Sequence, residues 1–262
     1  MAAPLPLPFH LPISGITIPS TPLIAASYQY LLENTRPSTV NHCLRSACFA
    51  LLLTTRLPLI PDGYTLDTET MILSILLHDM GWATTPIISN NTRFEVDGAN
   101  IARAFLSSQT TALSSTQIQL LWDAIALHTT PSIAQHKEPE VALAHLGITS
   151  DFLGPYMPPG STEPGALISV AEYREILQAF PRAGFKDDLV TICCGLCRDK
   201  RETVWDNFVG EFGAEYGIDG LGGDKEEFAA EFEARRNALP FLMGGLERSA
   251  EFEGEEVESE EK

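Results

Sequence analysis

Apolar residues recur at helical spacing along most of this chain, and no strand-like alternation of useful length appears. Thr21-Pro22 predicts a helix start, with threonine as N-cap and proline in the first turn. A second helix is predicted from Pro37 or Ser38 to about Arg56, with Val40, Leu44, Ala47 and Leu51 on one face. Pro58, Pro61, Asp62 and Gly63 then form a loop. Asp67 caps a third helix, Thr68 to about Met80, with Gly81 as its stop. Its run from Met71 to Leu77 is apolar nearly all round, which places that helix at the centre of the fold.

A short helix is predicted from about Val96 to Leu106. Ser114 and Gln117 form a capping-box pair opening a helix that reaches about His128. Glu138 to Leu146 reads as another short helix, closed by Gly147. Gly and Pro crowd residues 154–165 into a loop, and later helices are expected near 166–179, 187–198, 200–214 and 224–237. The expected organisation is an all-α bundle. It has an extended arm over residues 1–20, one helical domain with a C-terminal helical extension over 21–246, and a disordered acidic tail over 247–262.

The net charge of −18 changes the picture for partners. Such a surface repels phosphate backbones, so nucleic acid is not expected as a partner. The N-terminus lacks a basic residue before an apolar run, and no apolar stretch approaches the ~20 residues that span a bilayer. Five cysteines, an odd number, fit reduced thiols better than a disulfide framework. The expectation is a cytoplasmic protein with a small-molecule substrate and no membrane partner; homo-oligomerisation is compatible with the sequence.

The chemistry begins at His78-Asp79, which close the most apolar helix. A carboxylate taken into such an interior needs a compensating partner, and a divalent cation is one. An imidazole beside a carboxylate suits Zn²⁺ or Fe²⁺. The competing reading is a helix-end His-Asp pair satisfied by local hydrogen bonds. His42 lies within the preceding helix, and two antiparallel helices joined by the 57–66 loop can bring it to His78. Asp151 follows a predicted helix end.

The order His42, His78-Asp79, Asp151 resembles the ligand order of the HD superfamily, which is all-helical and binds metal through these four side chains. Residues from about Pro19 to Gly154 resemble its fungal cyanamide hydratase branch. The segments that carry this are Ser38–Arg45, Leu76–Gly81, Arg93–Ala99 and Trp122–Thr129, with Pro181–Lys186 and Thr203–Phe208 similar further on. The resemblance implies an HD-domain bundle that holds Zn²⁺, or another divalent metal, on His42, His78, Asp79 and Asp151. It implies hydration of cyanamide to urea or an analogous reaction on a small nitrile-like substrate.

In that reading Asp79 both binds metal and takes a proton from the attacking water. His128 donates to the nitrile nitrogen or orients the substrate, against a bland role as a satisfied buried histidine. Asn41 and Glu95 border the substrate; for Glu95, capping of a new helix competes. Arg45 either supports His42 or forms a plain ion pair. His136 is expected at the surface and His145 on an ordinary helix face, which disfavours a second metal. Cys194-Gly195-Leu196-Cys197 has no second cysteine pair and reads as buried thiols. The alternative function is a metal-dependent phosphohydrolase on a nucleotide or other phosphate ester. That chemistry needs cations beside the metal, for which Arg45 and Arg93 are the candidates.

Overall fold

A computed structural model describes residues 7–85, 91–236 and 239–249. The chain divides into two compact units, Met1–Ile192 and Cys193–Lys262. The first opens on an antiparallel pair, β1 (Phe9–Leu11) and β2 (Ile16–Ile18), with His10 opposite Thr17. These six residues, extended as expected of the arm over residues 1–20, pair as a hairpin that was not foreseen. Leu11, Ile16 and Ile18 are buried, so apolar side chains tie the hairpin to the core. The Glu175 carboxylate secures its turn by accepting from the Ile13 and Ser14 amides.

Helix α1 (Pro22–Asn34) starts where the Thr21-Pro22 pair predicts, with the Thr21 hydroxyl accepting from the Ile24 amide. Helix α2 (Pro37–Leu53) follows, then α3 (Thr68–Leu77), whose residues from Thr70 to Leu77 are all buried. Helix α3 packs against α1, α2, α4 (Phe94–Ser107), α5 (Ser115–Ala126) and α7 (Pro139–Leu153). Its all-round apolar sequence is thus matched by neighbours on every side. The short α6 (Pro131–Ala134), absent from the sequence expectation, leads into α7, and α8 (Val170–Ala179) closes this part.

Two boundaries differ from expectation, and both shape the site. Helix α3 ends at Leu77, and His78–Trp82 form a tight 3₁₀ turn in which Asp79 leaves the helical region at φ −95°, ψ 19°. Gly81 is therefore not a helix stop. It lies so close to α4 that an added Cβ would sit 2.0 Å from the Phe94 carbonyl oxygen. Gly147 is not a helix end either, because α7 runs through it to Leu153. A Cβ there would meet the Ala50 Cβ at 2.6 Å, so glycine lets α7 press against α2. Asp151 consequently belongs to the last turn of α7 instead of following a helix.

Helix α9 (Phe185–Asp199) spans the division between the units. Within the second unit α10 (Val209–Tyr216) packs against α11 (Lys225–Arg235), burying Phe228 and Phe232. Cys193, Cys194 and Cys197 are buried free thiols, and Cys197 donates to the Val209 carbonyl at 3.2 Å. Helix α12 (Leu239–Ser249) was not foreseen, and most of the expected acidic tail, residues 250–262, lies outside the described residues. The description is 64% helical, in keeping with the all-α expectation. No helix among the described residues is long and apolar enough to cross a membrane.

Candidate metal centre

The site lies where α2, the turn after α3, and the end of α5 meet. His42, in mid-α2, is 1% exposed; His78 and Asp79 are 1% and 0% exposed. One nitrogen or oxygen from each lies within 4.8 Å of the others. His78 Nε2 is 3.2 Å from His42 Nε2 and 3.1 Å from Asp79 Oδ2, and His42 Nε2 is 3.7 Å from that same oxygen. Donors ~2.0–2.1 Å from a tetrahedral Zn²⁺ stand roughly 3.3 Å apart, so the three separations bracket the spacing such an ion needs.

The hydrogen-bond pattern points the same way. His42 donates through Nδ1 to Asp151 Oδ2 at 2.6 Å, and His78 through Nδ1 to the Ile75 carbonyl at 2.7 Å. His128, just past α5, donates through Nδ1 to the Ile125 carbonyl at 2.6 Å. None of these oxygens can donate back, so Nδ1 carries the proton on each ring and Nε2 presents a lone pair. His42 and His78 aim theirs at each other and at Asp79, and His128 Nε2 lies 4.0 Å from Asp79 Oδ1. Both Asp79 oxygens are buried without a hydrogen-bond donor. Such a cluster of lone pairs and negative charge is stabilised by one positive charge and could hold a cation.

The protonation equilibria reflect that preference. Burial opposes a charge on His78, but the adjacent Asp79 carboxylate outweighs it and pushes the ring well above the usual histidine range. His42 is pushed down by burial, against the pull of Asp151 and Asp79. Burial, then the charge on His78, lowers His128 to about 4. Burial alone would raise Asp79, yet the surrounding imidazoles hold it below the ordinary carboxylate range. The site favours one positive charge, either a proton on His78 or a metal ion.

Asp151, expected as a fourth ligand, lies on the far side of His42 and outside the converging group. Arg45 grips its carboxylate with two hydrogen bonds, Nε to Oδ1 at 2.7 Å and Nη2 to Oδ2 at 2.8 Å. Arg182 Nη2 adds a third at 3.1 Å. Burial would raise the Asp151 pKa, but the bonds from His42 and Arg45 hold it far below its ordinary value.

Asn41, expected beside substrate, donates its side-chain amide to the Pro181 carbonyl at 2.9 Å. Glu95, expected there too, is fully buried and accepts from Arg93 and from Thr129, each at 2.7 Å. His145 is 4% exposed and donates through Nδ1 to the His128 carbonyl at 2.7 Å, so it braces His128 where a plain helix face was expected. His136 is exposed, as expected.

Aromatic rings wall the centre. Phe185 stacks on His42 at 4.7 Å, Phe152 approaches the same ring edge-on at 5.4 Å, and Phe94 lies 5.7 Å from His128. Sequence reasoning missed Phe185 and Arg182 as neighbours of the site. Both come from the segment after α8, and only the tertiary fold brings it to α2.

Residues 39–164 match the family model of the HD domain. No curated protein matches the chain.

Proposed function

From an HD domain over residues 39–164, we propose that this chain is a metal-dependent hydro-lyase. It adds water to the nitrile carbon of cyanamide, giving urea, or to that of a related small nitrile-like molecule. HD-domain proteins are metal-dependent enzymes, and the buried His42, His78 and Asp79 suit a divalent ion. The observation that carries the proposal is the convergence of imidazole lone pairs on a buried carboxylate that no donor satisfies. The borderline nitrogen donors and single carboxylate favour Zn²⁺, with Fe²⁺ next. A bound divalent ion supplies an acidified water near neutral pH and polarises a ligand's electron-rich end.

The remaining steps fall to the chain's own side chains. His128, neutral at pH 7 and fixed with its proton on Nδ1, presents Nε2 as an acceptor. It takes the proton that the water loses as its oxygen bonds to the nitrile carbon. The same proton then passes from Nε2 to the nitrile nitrogen, where negative charge develops, giving isourea; transfer of its hydroxyl proton to the imine nitrogen gives urea. The sequence expectation gave the water's proton to Asp79 and made His128 either the donor to the nitrile nitrogen or a group that orients the substrate. The hydrogen bond to Ile125 makes it an acceptor first. Phe94 beside His128, with Phe152 and Phe185 beside His42, gives the surroundings an apolar character suited to a small neutral substrate.

Phosphate ester hydrolysis fits less well. A phosphate dianion needs free cationic donors. Arg45 and Arg182 bind Asp151, and Arg93 binds Glu95. The choice of cyanamide itself rests on the resemblance of the segments quoted above. Metal analysis of the purified chain combined with a urea-release assay on cyanamide tests the proposal. About one zinc per chain with urea formation is the expected result. Metal with phosphate release from nucleotides and no urea would overturn it.

A further inference from the structure

We propose that Asp151 is a positioning residue for His42 and not a metal ligand, and that Arg182, from beyond the HD match, holds it in that role. The inference rests on the metal-centre reading above and deepens it.

A carboxylate offers about four lone-pair directions. In Asp151 all four are taken. Oδ1 accepts from Arg45 Nε at 2.7 Å and from Arg182 Nη2 at 3.1 Å. Oδ2 accepts from Arg45 Nη2 at 2.8 Å and from His42 Nδ1 at 2.6 Å. Asp151 and Arg45 are both fully buried. An ion drawing on Asp151 would have to displace one of these charge-assisted bonds. Asp79, by contrast, has two oxygens with no donor at all.

The arrangement has a physical purpose at His42. A carboxylate on Nδ1–H fixes the tautomer, aims the Nε2 lone pair at His78 and Asp79, and raises the basicity of the ring. Two guanidiniums keep that carboxylate ionised and fixed in direction. Arg45 reaches Asp151 from the His42 helix itself, three residues on. Arg182 arrives on a separate segment, and the fold secures that segment at several points. Arg45 Nη1 donates to the Phe180 and Pro181 carbonyls at 3.0 and 3.1 Å, and Asn41 donates to Pro181. The Arg182 guanidinium also lies 5.8 Å from the Tyr173 ring centroid. Residues 180–182 thus complete the support of a ligand that the matched span of 39–164 contains.

The test uses the full chain loaded with Co²⁺, whose visible bands report ligand number and geometry. Asp151→Asn is expected to bind one Co²⁺ with the wild-type band pattern and a dissociation constant raised about 10–100-fold. Asp79→Asn should lose the bands. Arg182→Gln should weaken Co²⁺ binding without altering the bands, and Arg182→Lys should restore much of the affinity, because this contact uses a single donor. Altered or absent bands in soluble Asp151→Asn, as in Asp79→Asn, would make Asp151 a ligand and overturn the proposal. If Asp151→Asn does not fold, the Arg182 pair decides. Unchanged affinity in Arg182→Gln, or no rescue by lysine, overturns the role of Arg182. A wild-type chain that binds no Co²⁺ would overturn the metal-centre reading itself, and this inference with it.

Discussion

At the scale of single residues, the site is explained by which atoms already have hydrogen-bond partners. His42, His78 and His128 each have a donor proton tied to an oxygen, and Asp79 alone has none. On the proposed reading, this asymmetry separates ligand from support more sharply than residue type does, because Asp79 and Asp151 are both buried aspartates beside His42. His78→Ala and Asp79→Ala are each expected to bring metal content to background and to abolish urea formation. A metal-replete, active His78→Ala protein would remove the basis of the assignment. Elemental analysis with the urea assay reads both.

At the scale of elements, the site depends on close helix contacts that only glycine permits. Gly147 brings α7 against α2, and these two helices carry Asp151 and His42. Gly147→Ala must separate them or distort Ser46 and Ala50. It is expected to lower stability by about 1–3 kcal/mol and to weaken metal binding, as thermal melting and Co²⁺ titration would show. Helix α8 supplies a pH-dependent element. Ser169 and Glu172 form its capping box, and Glu172 also pairs with Arg56, whose guanidinium is the main cause lowering the Glu172 pKa to about 2. The folded value lies below the unfolded one of about 4.5, so this stabilisation is complete above pH 4.5 and is lost as pH falls towards 2. Glu172→Gln should therefore melt below wild type at pH 7, with the gap closing through that window. A gap independent of pH would show that the charge is not the source.

At the scale of the molecule, the proposed buried centre, with ligands from α2 and the turn after α3, would link metal binding to folding. A ligand that binds only the folded chain stabilises it by roughly 4 kcal/mol at a thousand times its dissociation constant. Chelation is expected to lower the melting temperature by about 10 °C, and added Zn²⁺ to restore it. Identical melting with and without chelator would place the ion outside the folded core. Every side chain of the site lies in the first unit, up to Phe185. The second unit, with its buried thiols and its own aromatic core, contributes none of the groups used here.

The sequence by itself determined the helical class and the central place of α3. These follow from short-range patterns: apolar periodicity and the Thr21 and Ser114 caps. It also determined that the cysteines are buried thiols, since small residues in a helical apolar pattern pack into a core. The end of α3 at Leu77, the course of α7 through Gly147 and the place of Asp151 were decided by tertiary contacts. A glycine marks a helix end or a close approach with the same letter, and only the neighbouring backbone tells which. The same holds for Asp151. Whether a carboxylate faces an ion or an imidazole's N–H depends on which side of His42 the helix α7 brings it to. The role of Arg182 depends on a segment 31 residues further along the chain folding back to meet it.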